Sequence, residues 1–196
     1  MIVLASGSPR RQELLRNAGI PFSVQPADIN ETPLAGESPR ECAERLARGK
    51  ALAVSQSRPQ DYVLGADTIV VVDDVILGKP RDPDDAARML RLLSGRTHAV
   101  ITGVCLVVKK VASGTGRTED PGLRTASETT LVTMRALSDD EIRDYVASGE
   151  PMDKAGAYAI QGIASRWIPR IEGDYSNVVG LPVALVYAML RESGAI

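Results

Sequence analysis

The apolar run Met1–Ala5 breaks with no linker into Ser6-Gly7-Ser8-Pro9-Arg10-Arg11 and then into the helix-forming Gln12-Glu13-Leu14-Leu15-Arg16. A strand that turns through small hydroxyl residues into a helix exposes unpaired backbone N–H groups and the positive end of the helix dipole at one point. That geometry attracts phosphate, and two adjacent arginines supply forked donors that grip it. The same residues also read as ordinary capping, with Ser8 as N-cap, Pro9 in the first helical position and the arginines on a solvated first turn. Basic side chains are unfavourable there, which an anionic partner explains.

Strands and helices alternate along the rest of the chain. Ser38-Pro39-Arg40-Glu41 is a capping box with proline at the helix start. The helix it opens turns Ala43, Leu46, Ala47, Lys50, Ala51 and Val54 to one face. Tyr62–Val72 reads as a long strand and Asp73-Asp74 as a hairpin turn, followed by Val75-Ile76-Leu77-Gly78-Lys79-Pro80. Asp82 caps a helix closed by Gly95, and the β-branched His98–Val108 reads as a central strand. Residues 112–127, rich in Gly, Ser and Thr, read as a flexible hairpin tip, with Glu128–Arg135 as the partner strand. Ser138–Glu141 is a second capping box, and Gly149 ends its helix. A loop, two short strands and a helix from about Pro182 to Glu192 follow. This order predicts an α/β protein with a mixed sheet and flanking helices, folded as one domain over residues 1–196.

Composition narrows the function. The 196 residues are 44% hydrophobic and 24% charged with a net charge of −2, which argues against a basic nucleic-acid coat but allows a local positive pocket. Cys42 and Cys105 form no metal spacing or disulfide framework. No apolar stretch reaches membrane-spanning length and no leader is recognisable, so the expectation is a cytoplasmic protein with no membrane partner. His98 is the single histidine, which disfavours Ser–His–Asp chemistry, and no Gly-x-x-x-x-Gly-Lys-[Ser/Thr] motif is present.

Three further stretches carry chemistry. In Gly65-Ala66-Asp67-Thr68, a carboxylate sits inside an apolar strand, costly unless paired or metal-bound. Asp67 is therefore either a functional carboxylate or half of a structural ion pair with a nearby lysine. Gly78-Lys79-Pro80 aims one ammonium from a fixed turn, although a lone lysine after a strand is commonly just solvated. Gly149–Gly162 is dense in glycine, small and charged residues. There Gln161 can donate and accept at a base edge, while Asp153 and Lys154 also fit a self-satisfied loop. Lys50 on its apolar helix face is either a cation for the site or a snorkelling side chain.

Ala5–Arg11, Gly65–Thr68, Gly78–Pro80, Ser94-Gly95 with Thr97-His98, Asp153–Tyr158 through Ile160–Gly162, and Asn177–Pro182 together resemble the Maf family of nucleoside triphosphate pyrophosphatases, once known mainly as septum-formation inhibitors. The resemblance runs in order over nearly the whole chain, with residues 112–127 as its clear departure. It implies a two-lobed fold around a substrate cleft, of the Maf and ITPase kind, a divalent cation (Mg²⁺ or Mn²⁺), and a homodimer. Arg10, Thr68 and Gln161 are similar to the branch acting on dTTP and UTP. The expected reaction is hydrolysis between the α and β phosphates. Asp67 is the expected general base or metal ligand, and Glu31 the second metal carboxylate. Ser6, Ser8, Arg10, Arg11, Lys50, Lys79 and Lys154 are the expected substrate contacts. The alternatives are a nucleotide-sensing regulator of septation that acts through a partner, and a purine pyrophosphatase for ITP or 7-methyl-GTP.

Overall fold

The computed structural model describes residues 1–108 and 122–196. Its strands form one seven-stranded sheet in the order β2-β1-β3-β5-β6-β7, with β4 paired to β3. These strands are β1 (Ile2–Leu4), β2 (Ser23–Val24), β3 (Tyr62–Val72), β4 (Val75–Leu77), β5 (Thr97–Val107), β6 (Leu123–Thr133) and β7 (Arg170–Glu172). The helices are α1 (Pro9–Asn17), α2 (Pro39–Ser55), α3 (Pro83–Leu93), α4 (Asp139–Ala147), α5 (Tyr175–Val179) and α6 (Val183–Glu192). β1 runs parallel to β2 and β3, whereas β3/β4 and β6/β7 are antiparallel. The mixed α/β sheet expected from the sequence is thus what forms.

Local chemistry fixes the ends of these elements. Ser8, Ser38, Asp82 and Ser138 each accept a backbone N–H as N-caps, and Ser38 and Ser138 complete reciprocal capping boxes with Glu41 and Glu141. Asp73 and Asp74 take φ of 49° and 61°, the two consecutive positive values that a tight hairpin between twisted strands requires.

The chain divides into two compact units. The first comprises Met1–Asp67, Thr102–Glu128 and Gly180–Ile196. Its strands β1, β3 and β5 are buried on both faces, which explains their continuous apolar character. Ile2, Leu4, Tyr62, Leu64, Val104 and Leu106 pack with Leu15 of α1 and Val186, Met189 and Leu190 of α6. The alternate residues Val3, Ala5, Val63, Cys105 and Val107 pack with Ala47, Ala51 and Val54 of α2.

Two glycines set how closely α2 lies on its strands. A Cβ on Gly65 would sit 2.2 Å from the Ala47 carbonyl oxygen, and one on Gly103 would sit 2.3 Å from that of Ala43. The helix therefore rests its backbone on the sheet at two adjacent strands, with alanines at four-residue intervals forming the contact.

The second unit comprises Thr68–Ile101 and Thr129–Val179. Its core joins Val70, Val72 and Leu77 to Met89, Leu90 and Leu93 of α3, and to Ile142 and Tyr145 of α4 with Trp167. His98, near the start of β5, is buried with Nε2 2.7 Å from the Tyr158 hydroxyl.

Two expectations need correction. β6 begins at Leu123, so Leu123–Ser127 is strand and not hairpin tip. Ser127 is held there by Arg40, which donates to its hydroxyl at 2.8 Å, and by Glu44, which accepts from it at 2.6 Å. These partners come from α2, so the polar composition of the segment hid a strand whose side chains bond to a helix. Residues 112–121 of the expected hairpin lie outside the described residues. In place of two short strands before the last helix, only Arg170–Glu172 is extended; Ile163–Trp167 forms a 3-10 turn and Tyr175–Val179 the short α5.

Candidate active site

In the first unit the N-terminal segment folds around Arg11. The Ser6 hydroxyl oxygen accepts from the Ser8 N–H at 3.2 Å and from Arg11 Nη1 at 3.1 Å. Arg11 Nε donates to the Gly180 carbonyl at 2.7 Å, which ties the start of α1 to the turn leading into α6. Arg11 is buried, so it is not part of a solvated first turn, whereas Arg10 beside it is half-buried. Burial pulls the Arg11 guanidinium below its usual value, partly offset by the charges of Asp67 and Glu31, which lie within Coulomb reach. The first turn of α1 holds no acidic residue, so its dipole and its arginines present one positive surface.

The second feature is a three-residue charge cluster. Lys50 Nζ lies 2.5 Å from Asp67 Oδ1 and 2.6 Å from Glu31 Oε1. Lys50 and Asp67 are each only 8% exposed, while Glu31 reaches in from an exposed loop. The cause is traceable. Gly65 and Asp67 project from the same face of β3, and the absent Cβ at Gly65 admits α2 to van der Waals contact there. That approach brings Lys50, next to Ala51, onto the carboxylate two residues further along the strand. A buried aspartate and a buried lysine each lose hydration, and each replaces it with the other. The Lys50 ammonium thus ends on carboxylates within the protein and does not snorkel to solvent.

The chemistry of this donor set suits a divalent cation. Glu31 and Asp67 offer hard carboxylate oxygens that converge on a single positive point. One or two protein carboxylates completed by substrate phosphates is the arrangement Mg²⁺ favours. Among the described residues no group of three or more His, Cys, Asp or Glu side chains assembles as an all-protein metal cage.

The other expected site residues belong to the second unit. Thr68 follows Asp67 on β3 and is half-buried, while Lys79 is exposed after Gly78. The Gly78 carbonyl accepts from the Gly156 N–H at 3.0 Å. Gly156 has φ 68°, and a Cβ there would come within 2.9 Å of Val70, so the Lys154–Ala157 turn packs directly on β3. Lys154 donates to Asp153 Oδ1 and to the Glu150 carbonyl, both at 2.5 Å, the self-satisfied loop weighed from the sequence. Gln161 lies exposed on the following loop.

Glu150 was not singled out from the sequence. Its carboxylate accepts from the Tyr145 hydroxyl at 2.9 Å and from the Ile163 N–H at 3.1 and 3.2 Å. The only local signal was its place after a helix-ending glycine and before a proline.

A mixed α/β sheet whose central strand carries a buried carboxylate, paired to a helix lysine and flanked by an arginine-bearing helix start, defines a protein equipped for a phosphorylated substrate. The Maf-like protein family matches residues 1–193, and the chain belongs to that family. Its relatives include a dTTP/UTP pyrophosphatase of Koribacter versatilis (strain Ellin345), 55% identical over 195 residues that span 100% of this chain and 95% of that protein. Proteins of the same name from Geobacter sp. (strain M21) and Geobacter sulfurreducens are 52% and 50% identical, covering all of this chain and 96% and 97% of theirs.

Proposed function

We propose that this chain is a nucleoside triphosphate pyrophosphatase acting on dTTP and UTP. It hydrolyses the bond between the α and β phosphates to give a nucleoside monophosphate and pyrophosphate. The observation that carries the reading is Asp67, a carboxylate buried in β3 within Coulomb reach of the Arg11 guanidinium. Support comes from the relatives, whose names give that activity over essentially the same length of chain.

Asp67 is the general base. Lys50 fixes its Oδ1, leaving Oδ2 to take the proton of the attacking water. The water oxygen bonds to the α phosphorus, the bond from that phosphorus to the bridging oxygen breaks, and pyrophosphate leaves with the electron pair. Arg10, the α1 N–H groups and the Ser6 and Ser8 hydroxyls bind the phosphate oxygens, on which charge grows. Arg11 adds positive charge while holding the loop in shape. Glu31 and Asp67 would hold Mg²⁺ or Mn²⁺, which lowers the pKa of bound water and neutralises phosphate oxygens.

Thr68, Lys79, Lys154 and Gln161 serve recognition of the substrate, with Arg10, Thr68 and Gln161 selecting the pyrimidine. A glutamine amide can both donate to and accept from a uracil or thymine edge, and a base lacking that pattern leaves polar groups unpaired. Residues 1–196 act as one catalytic domain, in the cytoplasm and as a homodimer. No helix among the described residues is long and apolar enough to cross a membrane.

The test is turnover of dTTP, UTP, CTP, ITP and 7-methyl-GTP by the purified protein with Mn²⁺. Preference for dTTP and UTP with release of pyrophosphate is expected. Preference for ITP or 7-methyl-GTP overturns the pyrimidine assignment, and release of orthophosphate overturns the cleavage site.

A further inference from the structure

We infer that Tyr145 and Glu150 form a clamp that holds Gln161 in its base-reading position, which makes Glu150 a positioning residue for nucleotide selectivity. The inference rests on the reading of Gln161 given above. Gln161 is exposed on a loop whose turn is closed by the Gly162 N–H donating to the Ala159 carbonyl at 3.1 Å. The clamp ties that turn to the rest of the unit. Both oxygens of Glu150 accept from the backbone N–H of Ile163, two residues after Gln161, at 3.1 and 3.2 Å. The Tyr145 hydroxyl closes the arrangement by donating to Glu150 Oε1 at 2.9 Å.

Three further contacts make the clamp rigid. A Cβ on Gly162 would lie 2.1 Å from Glu150 Oε1, so a side chain there would displace the carboxylate from its present place. Tyr145 is 1% exposed and packs edge-on against Trp167, with ring centroids 5.1 Å apart, which fixes its ring. The Glu150 carbonyl accepts from Lys154 Nζ, which pins the carboxylate's own backbone. A charged acceptor bonded to a backbone N–H and a phenol forms stronger links than a neutral one, so the loop is held in a single arrangement. The backbone two residues after the reading residue is thereby anchored to Glu150 and, through it, to Tyr145 of α4.

The experiment compares Glu150→Ala, Glu150→Gln and Gln161→Ala by steady-state kinetics with UTP and CTP, each alone and with Glu150→Ala and Gln161→Ala combined. Glu150→Ala should raise KM for UTP about tenfold and lower the preference for UTP over CTP by a similar factor, with kcat changed less than about threefold. Glu150→Gln keeps an acceptor for Ile163 and Tyr145 and should recover most of that loss. In the Gln161→Ala background, Glu150→Ala should cost no further selectivity, because the group it positions is gone. A merely structural glutamate would lower kcat for both nucleotides equally and would act the same with or without Gln161; that result overturns the inference. If Gln161→Ala itself leaves the UTP preference unchanged, the assignment of Gln161 fails first. If Gln161→Ala abolishes the preference while Glu150→Ala leaves it intact, only the clamp fails.

Discussion

Lys50 Nζ lies 2.5 Å from Asp67 Oδ1, and the two residues, 17 positions apart on a helix and a strand, are both 8% exposed. The contact exists because Gly65 lets the α2 backbone reach the sheet. It gives the central strand a carboxylate held in one orientation, whose charge is balanced when no substrate is bound.

Removing the ammonium should expose that balance. In Lys50→Met, Asp67 is buried without its partner and faces the like charge of Glu31, so the variant should lose about 3 kcal/mol of stability in urea denaturation. Adding Asp67→Asn to it should restore part of the loss. Equal losses in the single and double variants contradict the coupling.

Gly65→Ala tests the approach of α2 directly. The new methyl meets the Ala47 carbonyl, which is backbone and cannot rotate away, so the helix must lift. A loss of at least about 1–3 kcal/mol is expected, with a fall in turnover larger than the stability change explains, since Lys50 moves with the helix. A variant with native stability and full activity would show that the close packing does not position the site.

Glu31 and Asp67 make a separate prediction for metal binding. By isothermal titration, Glu31→Gln should bind Mn²⁺ at least about tenfold more weakly than the unaltered protein, because one of two carboxylate donors becomes a neutral amide. Unchanged affinity removes Glu31 from the cation site.

His98 gives a pH signature. Burial pushes its imidazole down to about 4, below the value of about 6.5 expected in the unfolded chain. Between those values the unfolded chain binds a proton that the folded one does not. Stability is therefore complete above pH 6.5 and falls as the pH drops towards 4. From pH 7 to 5.5 the loss from this group is about 1.2 kcal/mol. The window lies above the carboxylate range, where Glu37 and Glu141, both held at about 2 by arginine hydrogen bonds, add their own dependence. In His98→Gln the difference between pH 7 and 5.5 should vanish; a persisting difference would place the titrating group elsewhere.

Legibility followed locality. Helix starts at Ser8, Ser38, Asp82 and Ser138 were readable because a cap is made by residues three apart, and the Asp73-Asp74 turn because it needs a particular backbone. The start of β6 was not, since Ser127 looks like a loop residue until Arg40 and Glu44 of α2 are placed beside it. Lys50 and Asp67 were each conspicuous alone, a charge on an apolar helix face and a charge in an apolar strand. Their pairing is a tertiary fact with no local pattern, and each turned out to explain the other. Glu150 was hidden for the same reason: its partners Tyr145 and Ile163 give no spacing signature.

The most direct measurement is UTP hydrolysis in ¹⁸O-labelled water with Mn²⁺, comparing the unaltered protein with Asp67→Asn. Attack at the α phosphorus with Asp67 as base puts the label in UMP and none in pyrophosphate. The asparagine variant, which can still accept from Lys50, should stay folded while turning over at least about 10²-fold more slowly. Label in the pyrophosphate or in orthophosphate, or an asparagine variant with undiminished turnover, contradicts the account.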